Sequence, residues 1–386
     1  MQSRINTIPI SDRTRTLLGF TTGLLIMAAI VQVFQVNNFD FNNMQCDVQL
    51  IFSGVNPWAA ETRIPHYYNP PFAVLFLWPM LFATPKIYLV LGGALLFAFV
   101  FYRKAWVAFA WFATNTFLWL VSAGGIDMFV IGAGLLLLIA ADNSRKKWLV
   151  TLLRVLAYGI LLVKPQGGML IVAFYILLRR DWLGTLIALL VYGLPFLSLY
   201  PDWIHVILSD PPLAQTVASH TLLEKFGPWL AGMVALFVLT ARRWKYWQLG
   251  GALSGILMPY GMPGLPIFLT LTAVPSLKAI PAVIVSSALL AILTWLNTSA
   301  GAVTSDYHSH LMSIYLLGML GLALVLSCTS EPADETYSIA VVDWLKVCLR
   351  QLKTYRQAAT DKPAHCGRHW CGPASCSAMT RTLIFK

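Results

Sequence analysis

The chain has 386 residues, of which 58% are hydrophobic and only 11% are charged, and its mean hydropathy is +0.69. A soluble domain is about 45–50% apolar and about 25% charged, so this composition excludes an ordinary soluble protein and indicates a protein of the bilayer. The formal net charge of +11 does not indicate nucleic-acid binding, because excess lysine and arginine in a membrane protein mark its cytoplasmic loops. The cysteines are scattered, so no disulfide framework is predicted.

The N-terminal apolar run, residues 16–36, follows a basic segment and is not followed by a small-residue cleavage site. We therefore expect an uncleaved membrane span rather than a signal peptide. A crossing helix needs about 20 apolar residues, and basic clusters mark the cytoplasmic ends of spans. Applied along the chain, these two rules predict about twelve spans with both termini cytoplasmic. The predicted fold class is all-α, a polytopic transmembrane helical bundle in the plasma membrane.

A long polar interval, residues 37–72, follows the first span and is predicted to be a structured loop on the outer side. Within it, residues 43–54 have the composition of a short helix that lies along the interface. Asp40 and Asp47 are seven residues apart, about two helical turns, so a helix would place them on one face. We expect Asp47 on the polar face of that helix. The interval also carries His66, and its simplest alternative is an ordinary solvated loop.

The next apolar run, residues 71–83, is too short to cross comfortably, and we interpret it as a half-helix that returns to the outer side. Counting it as a full span would place the basic pair Arg103 and Lys104 outside, against the positive-inside pattern. Arg154 lies a few residues inside a later span. We expect its long side chain to extend to the cytoplasmic surface.

Two charged residues are predicted at other outer turns. Lys164 ends one span and is followed by Pro165-Gln166-Gly167-Gly168. Because the positive-inside pattern disfavours a lysine there, we interpret Lys164 as a cation for a phosphate group, with a stray interfacial lysine as the alternative. Asp127 follows a glycine pair and opens a turn. It is either a ligand-binding carboxylate or the start of a helix.

The chain divides into a transmembrane domain, residues 1–328, and a cytoplasmic tail, residues 329–386. The tail contains a basic, partly amphipathic segment over residues 335–358, which predicts a helix on the inner leaflet. The tail ends in a stretch of histidines and cysteines whose spacing matches no established zinc pattern. We therefore favour an unstructured end over a zinc site.

Several short motifs occur in a fixed order along the chain. They are Asp40, Gly54–Trp58, Tyr68–Phe72, Gly124–Asp127, Lys164–Gln166, 179–182 and Pro259–Tyr260. Taken in this order with the predicted topology, they resemble glycosyltransferase family 87. These are polytopic transferases of the GT-C type, and they include polyprenyl-phosphate-mannose-dependent mannosyltransferases. Gly125 and Asp127 depart from the glutamine and asparagine that the family tends to have there.

The resemblance implies an enzyme that moves a sugar, mannose above all, from a polyprenyl-phosphate donor to a lipid or glycan acceptor. Transfer would occur with inversion at the outer face of the bilayer, without a metal or other cofactor, and nucleic acid is not an expected partner. Asp40 matches the family's general base in the first outer loop. The residues implied in substrate binding are Lys164, Gln166, Asp127, Asp47, His66, Tyr68, Asn69 and Tyr260.

Two other classes of protein fit the same composition. A transporter or lipid flippase also has many spans around a central cleft, and it should show paired halves with broken helices. No clear internal repeat is visible in this sequence, although proline and glycine interrupt several of the apolar runs. A membrane scaffold, or a family member that has lost its activity, would keep the spans without the chemistry.

Overall fold

The structure is a computed structural model that describes residues 11–34, 36, 39–59, 69–209, 227, 229–258, 264–299 and 305–327. The chain separates into two compact units, Met1–Tyr337 and Ser338–Lys386, and every described residue belongs to the first unit. The predicted tail, with its amphipathic segment and its histidine- and cysteine-containing end, lies outside the described residues.

All regular elements in the described ranges are helices, which confirms the all-α fold class. The α-helices are α1 (Asp12–Val33), α2 (Phe39–Phe52), α3 (Val74–Leu77), α4 (Pro85–Arg103), α5 (Asn115–Ala123), α6 (Asp127–Asn143), α7 (Lys147–Val163), α8 (Pro165–Arg179), α9 (Trp182–Gly193), α10 (Tyr200–Ser209), α11 (Trp229–Leu239), α12 (Tyr246–Leu257), α13 (Gly264–Leu271), α14 (Ala279–Ser299) and α15 (Ser305–Ser327). Short 3-10 helices lie at Pro71–Ala73, Trp78–Phe82, Trp106–Ala113, Leu194–Phe196 and Ala241–Arg243.

Three helices in the described ranges are long and apolar enough to cross a bilayer, namely α1, α4 and the part of α14 from Ala279 to Leu296. Two bent helix pairs raise the number of candidate spans to five if each pair counts as one span. These helices are compatible with a membrane protein. Other apolar helices, such as α8 and α11, have only 10–17 residues and fall short of the roughly 20 that a crossing needs. The total of about twelve spans therefore stays a prediction.

Two pairs of apolar helices in the described ranges are bent. The 3-10 helix before α5 meets α5 at 64°, and the segment Trp182–Phe196 meets α10 at 92°. At the first bend the backbone of Thr114 is extended (φ −92°, ψ 154°), and its hydroxyl accepts a hydrogen bond from the Phe117 amide as the N-cap of α5. At the second bend Pro195 opposes a continuous helix because it has no amide hydrogen.

The short run after the first polar interval forms α3 between two 3-10 helices and is not one continuous helix. Pro71 and Pro79 each lie at the start of a 3-10 helix, where a residue without an amide hydrogen is tolerated. Ala73 and Met80 are fully buried, and the run packs against α2 and α7. Its short, interrupted helices agree with the prediction that this run is too short to cross as a single span.

The centre of the protein is a row of closely packed helices. Helix α1 packs against α4, α4 against α6, α6 against α7, and α7 against α8 and α9. Small residues permit the close approach of α6 and α7: a Cβ atom added to Gly134 would lie 2.4 Å from Cγ of Leu161. Helices α6 and α7 are joined by three residues and form a hairpin. The charged side chains considered below belong to this hairpin and its neighbours.

A cluster of charged and phenolic groups lies between α6, α7, α8 and the start of α9. We call it the Arg154 network, and its members are Asp142, Arg154, Tyr158, Tyr175, Arg179 and Asp181. The guanidinium of Arg154 lies 3.3 Å from Asp181 and 3.7 Å from Asp142, and its Nε donates to the Tyr175 hydroxyl at 3.0 Å. Tyr158 donates to Asp181 and Tyr175 to Asp142, each at 2.7 Å.

The Arg154 network gives Arg154 fixed partners that the sequence did not reveal, and its extension to the cytoplasmic surface stays a prediction. Only 17% of its side chain is exposed, and two carboxylates flank it. Hydropathy along one helix does not reveal such partners, because Asp142 belongs to α6 and Asp181 precedes α9. The network fastens four consecutive helices to one another through charge-assisted hydrogen bonds.

We predict that Asp181→Ala destabilises the protein by about 3 kcal/mol, because it removes one partner of a largely buried ion pair. The substitution also removes the acceptor of the Tyr158 hydroxyl and the N-cap of α9. Thermal unfolding in detergent, followed by size exclusion, measures the effect. Asp12→Ala is the matched control, because Asp12 also begins a helix but is exposed. Equal midpoints for the two variants would contradict a stabilising role for the network.

Candidate functional site

The first polar interval is folded against the rest of the protein. In α2, Gln45 donates a hydrogen bond from Nε2 to the carbonyl oxygen of Met80 at 2.8 Å. Beyond α2, Asn56 donates from Nδ2 to Oδ2 of Asp202 at 2.6 Å, and its own Oδ1 accepts from the Trp58 amide at 3.0 Å. Asp202 lies in the first turn of α10, 146 residues away in sequence. The first polar interval and α10 therefore meet in space although they are far apart in the sequence.

Beneath α2 lies a buried apolar cluster, which we call the loop core. It consists of Phe41, Met44, Val48, Trp58, Ala73, Val74, Leu77, Met80, Tyr88, Ile126, Val130, Val163 and Val206. The Tyr88 ring lies 5.7 Å from that of Phe41 and 5.3 Å from that of Phe129, so aromatic contacts connect α2 to the first turn of α6 through α4. Ile126 and Val163 directly adjoin Asp127 and Lys164 in the chain. The loop core therefore brings α2 close to the ends of α6 and α7 that carry these two charges.

Lys164 occupies a sharp turn between two helices. Helix α7 ends at Val163, the backbone of Lys164 is not helical (φ −119°, ψ 79°), and Pro165 begins α8. Proline favours this position because its fixed φ suits the first residue of a helix. The turn is tight: a Cβ atom at Gly168 would lie 2.0 Å from the carbonyl oxygen of Leu161. The Pro-Gln-Gly-Gly sequence therefore closes the turn. It holds Lys164 at the open end of the α6–α7 hairpin, opposite the three residues that join the two helices.

The structure brings together two of the predicted site residues, Lys164 and Asp127. The Nζ atom of Lys164 lies 3.9 Å from Oδ2 of Asp127, and their side chains are 13% and 8% exposed. Asp127 is the first residue of α6, where the helix dipole favours a negative charge. Oδ2 is buried and accepts no hydrogen bond from the described residues. The pair is thus an ion contact that is not closed by a hydrogen bond, next to the apolar loop core.

The structure corrects the expected position of Asp47. Its side chain is completely buried and is not on a solvated polar face, because α2 turns this side toward the protein. Neither carboxylate oxygen has a hydrogen-bond partner in the described part of the chain. Burial raises the pKa of Asp47 from 3.8 to about 8, since desolvation disfavours the charged form. At neutral pH this carboxyl group keeps its proton and can donate a hydrogen bond.

The other predicted site residues fall into two groups. Asp40 is in the first turn of α2, two turns before Asp47 on the same helix, and its side chain is not described. Asn69 is buried two residues before the 3-10 helix at Pro71–Ala73, and Gln166 is half-buried two residues after Lys164. The predicted binding residues that lie outside the described residues are His66, Tyr68 and Tyr260.

Sequence reasoning missed the hydrogen bond between Asn56 and Asp202. The available signal was that Asp202 follows a proline at the start of an amphipathic stretch, which marks an ordered loop helix without naming its partner. The described residues include no group of three or more histidine, cysteine, aspartate or glutamate side chains that could hold a metal ion.

We predict that the docking of α2 weakens as pH rises from about 4 to about 8. Below pH 4 Asp47 is protonated whether α2 is docked or released. Above that pH Asp47 loses its proton when α2 is released but keeps it when α2 is docked. The free energy that favours docking therefore falls by about 1.4 kcal/mol per pH unit until the docked pKa near 8 is reached. Hydrogen exchange of the α2 amides, corrected for the intrinsic pH dependence, measures docking from pH 5 to pH 9.

Asp47→Asn should keep α2 protected at pH 9, because the amide cannot ionise. Asp12→Asn, which changes an exposed aspartate on α1, should leave the wild-type pH dependence intact. Protection of α2 that is equally independent of pH in the wild type and in Asp47→Asn would show that Asp47 does not govern docking.

Comparison with known proteins does not assign this chain to a family. No protein-family model, no curated protein and no solved structure matches this chain. The resemblance to glycosyltransferase family 87 therefore stays an expectation that rests on short motifs. The function must be inferred from the geometry and chemistry of α2, Asp47 and the Lys164–Asp127 pair.

Proposed function

We propose that the chain is a membrane glycosyltransferase of the GT-C type. It transfers a sugar, mannose in the first instance, from a polyprenyl-phosphate donor to a lipid or glycan acceptor at the outer face of the plasma membrane. One observation carries the proposal. A lysine in a sharp turn, paired with an aspartate, lies at a helix end beside a docked loop helix. That helix buries a carboxyl group that has no hydrogen-bond partner among the described residues. In this proposal the apolar helices form a bundle of about twelve spans with both termini cytoplasmic.

The chemistry of the donor matches this end of the hairpin. A polyprenyl chain partitions into lipid while its phosphate and sugar stay at the membrane surface, so an enzyme for it needs a cation beside an apolar wall. Lys164 supplies the cation, and its ammonium group stabilises the charge that develops on the departing phosphate. The loop core itself is buried, and partly buried apolar side chains that pack against it, such as Ile51, Phe76 and Ile160, would supply the apolar wall.

Asp40 is the proposed general base. It removes the proton of the acceptor hydroxyl, whose oxygen attacks the anomeric carbon from the side opposite the phosphate. The bond between the anomeric carbon and the phosphate oxygen breaks, its electron pair leaves with the lipid phosphate, and the configuration inverts. A base must be unprotonated at the working pH and within hydrogen-bond reach of the hydroxyl. Asp47 does not meet the first condition at neutral pH, because burial raises its pKa to about 8.

Asp47 has a different proposed part, which is to bind substrate. A protonated carboxyl group can donate one hydrogen bond and accept another, as a sugar hydroxyl also does. A buried polar group without a partner costs about 1–3 kcal/mol, and a ligand hydroxyl that reaches Asp47 recovers that cost on binding. Gln166 and Asn69 are further proposed contacts, on the positions of their motifs, together with His66, Tyr68 and Tyr260.

A transporter or lipid flippase is the second candidate function. The observation that favours it is the pair of sharply bent apolar segments, at 64° and 92°, because broken helices line the substrate sites of many transporters. Proteoliposomes that move a lipid-linked sugar between leaflets without forming any glycosylated product would support this function. Transfer of the sugar to an acceptor lipid in detergent, where no second compartment exists, would support the transferase.

We predict that Asp40→Asn lowers the rate of sugar transfer by about 10²–10⁴-fold, the usual cost of losing a general base. Asparagine keeps the size of the side chain but cannot take the acceptor's proton. Radiolabelled sugar transfer by purified enzyme measures the effect, with donor binding measured separately to show that the variant is folded. Asp47→Asn is the matched control on the same helix and should have a milder effect.

Two outcomes of this experiment would contradict the assignment of the base. Normal turnover in Asp40→Asn together with loss of turnover in Asp47→Asn would place the base at Asp47. Normal turnover in both variants would remove the base from α2 altogether.

The native cysteines test the proposed orientation. Cys46 is exposed on α2. The remaining cysteines all follow the last described helix in the sequence, at Cys328, Cys348, Cys366, Cys371 and Cys376. A membrane-impermeant maleimide applied to intact cells should therefore label the protein at Cys46 alone. Cys46→Ser should abolish labelling of intact cells but not of permeabilised cells. Labelling of Cys46 only after permeabilisation would reverse the proposed topology.

A further inference from the structure

We propose that Asp127 weakens the binding of the lipid-phosphate product at the Lys164 site more than it weakens the binding of the donor. The inference rests on the proposed function, in which Lys164 binds the phosphate of a polyprenyl-linked sugar. It concerns Asp127, the acid beside that lysine. The transfer reaction itself does not require Asp127. Asp127 acts through the repulsion between its carboxylate and the bound phosphate, and it is not itself a reacting group.

The first step in the argument is the charge of the site. Among the described residues, Asp127 is the one acidic group within ion-pair distance of Lys164, and no basic side chain except Lys164 lies that close to Asp127. The two charges therefore sum to zero at the turn. Without Asp127 the same turn would present one net positive charge to any phosphate that binds there.

The second step is the geometry of the pair. A separation of 3.9 Å between Nζ and Oδ2 is too long for a hydrogen bond, and Oδ2 is buried with no hydrogen-bond donor in the described part of the chain. An incoming phosphate oxygen can thus bind the ammonium group of Lys164 without first breaking a hydrogen bond to Asp127. Once bound, the phosphate lies near a carboxylate that has little solvent around it, where repulsion between like charges is only weakly screened.

The third step is the change of charge during the reaction. The donor is a phosphodiester with one negative charge. The product is a phosphate monoester, whose second pKa near 6 gives it a charge of about −1.5 to −2 at pH 7. The additional charge of the product is repelled by Asp127, whereas the donor does not carry it. Asp127 therefore weakens product binding more than donor binding, and product release is a step that limits turnover in many enzymes.

The experiment compares the binding of two probes to the full-length purified protein. One probe is a short-chain polyprenyl monophosphate, and the other is its methyl phosphodiester, which has one charge at all pH values used. For Asp127→Asn we expect Kd for the monophosphate to fall about tenfold at pH 7.5 and Kd for the diester to fall less than threefold. At pH 5 the monophosphate also carries about one charge, so the difference between the probes should nearly disappear.

Two control variants complete the test. Asp127→Glu keeps the charge and should retain the wild-type ratio of the two dissociation constants. Lys164→Ala should lose affinity for both probes. If Asp127→Asn leaves that ratio unchanged while binding still depends on Lys164, the inference is wrong and the proposed phosphate site stands. If Lys164→Ala binds both probes as the wild type does, the phosphate site itself is wrong, and the inference falls with it.

Discussion

Charges inside an apolar helical protein must be compensated, and in this chain the α6–α7 hairpin meets that constraint near both of its ends. Asp127 begins α6 and pairs with Lys164 just after α7. Fifteen residues later, in the last turn of α6, Asp142 pairs with Arg154 of α7. At about 1.5 Å per residue these two acids are about 22 Å apart along the helix. Two acid–base pairs thus fix the register of the hairpin, and close packing at Gly134 holds its helices together.

The two pairs differ in how completely their polar atoms are satisfied. In the Arg154 network, phenolic hydroxyls donate to both carboxylates and a second arginine reaches Asp142. At the α2 end, Oδ2 of Asp127 and both oxygens of Asp47 have no hydrogen-bond partner among the described residues. Native proteins leave few buried polar atoms unpaired, because each one costs free energy. The satisfied network explains stability, whereas the unsatisfied end is where a polar ligand would gain most on binding.

Sequence patterns predicted those parts of the fold that depend on local chemistry. The helix at α2, the short run around α3 and the break at Lys164 all followed from composition, proline or glycine. What could not be predicted depends on contacts between segments distant in sequence. The partners of Arg154 belong to other helices, and the burial of Asp47 depends on the way α2 docks on the loop core. The 64° bend at Thr114 could not be predicted either, because an apolar run indicates the length and hydropathy of a helix but not its direction.

The central claim, that a lipid phosphate binds where α2 meets the end of the α6–α7 hairpin, is tested most directly by photocrosslinking. A polyprenyl phosphate with a photoreactive group beside the phosphate would be irradiated with the purified full-length protein, and the labelled peptides would be identified by mass spectrometry. We expect the adducts in α2 and in the turn around Lys164, with competition by unlabelled polyprenyl phosphate but not by the free alcohol. Competed adducts confined to the side of the hairpin that carries the Arg154 network would contradict the account.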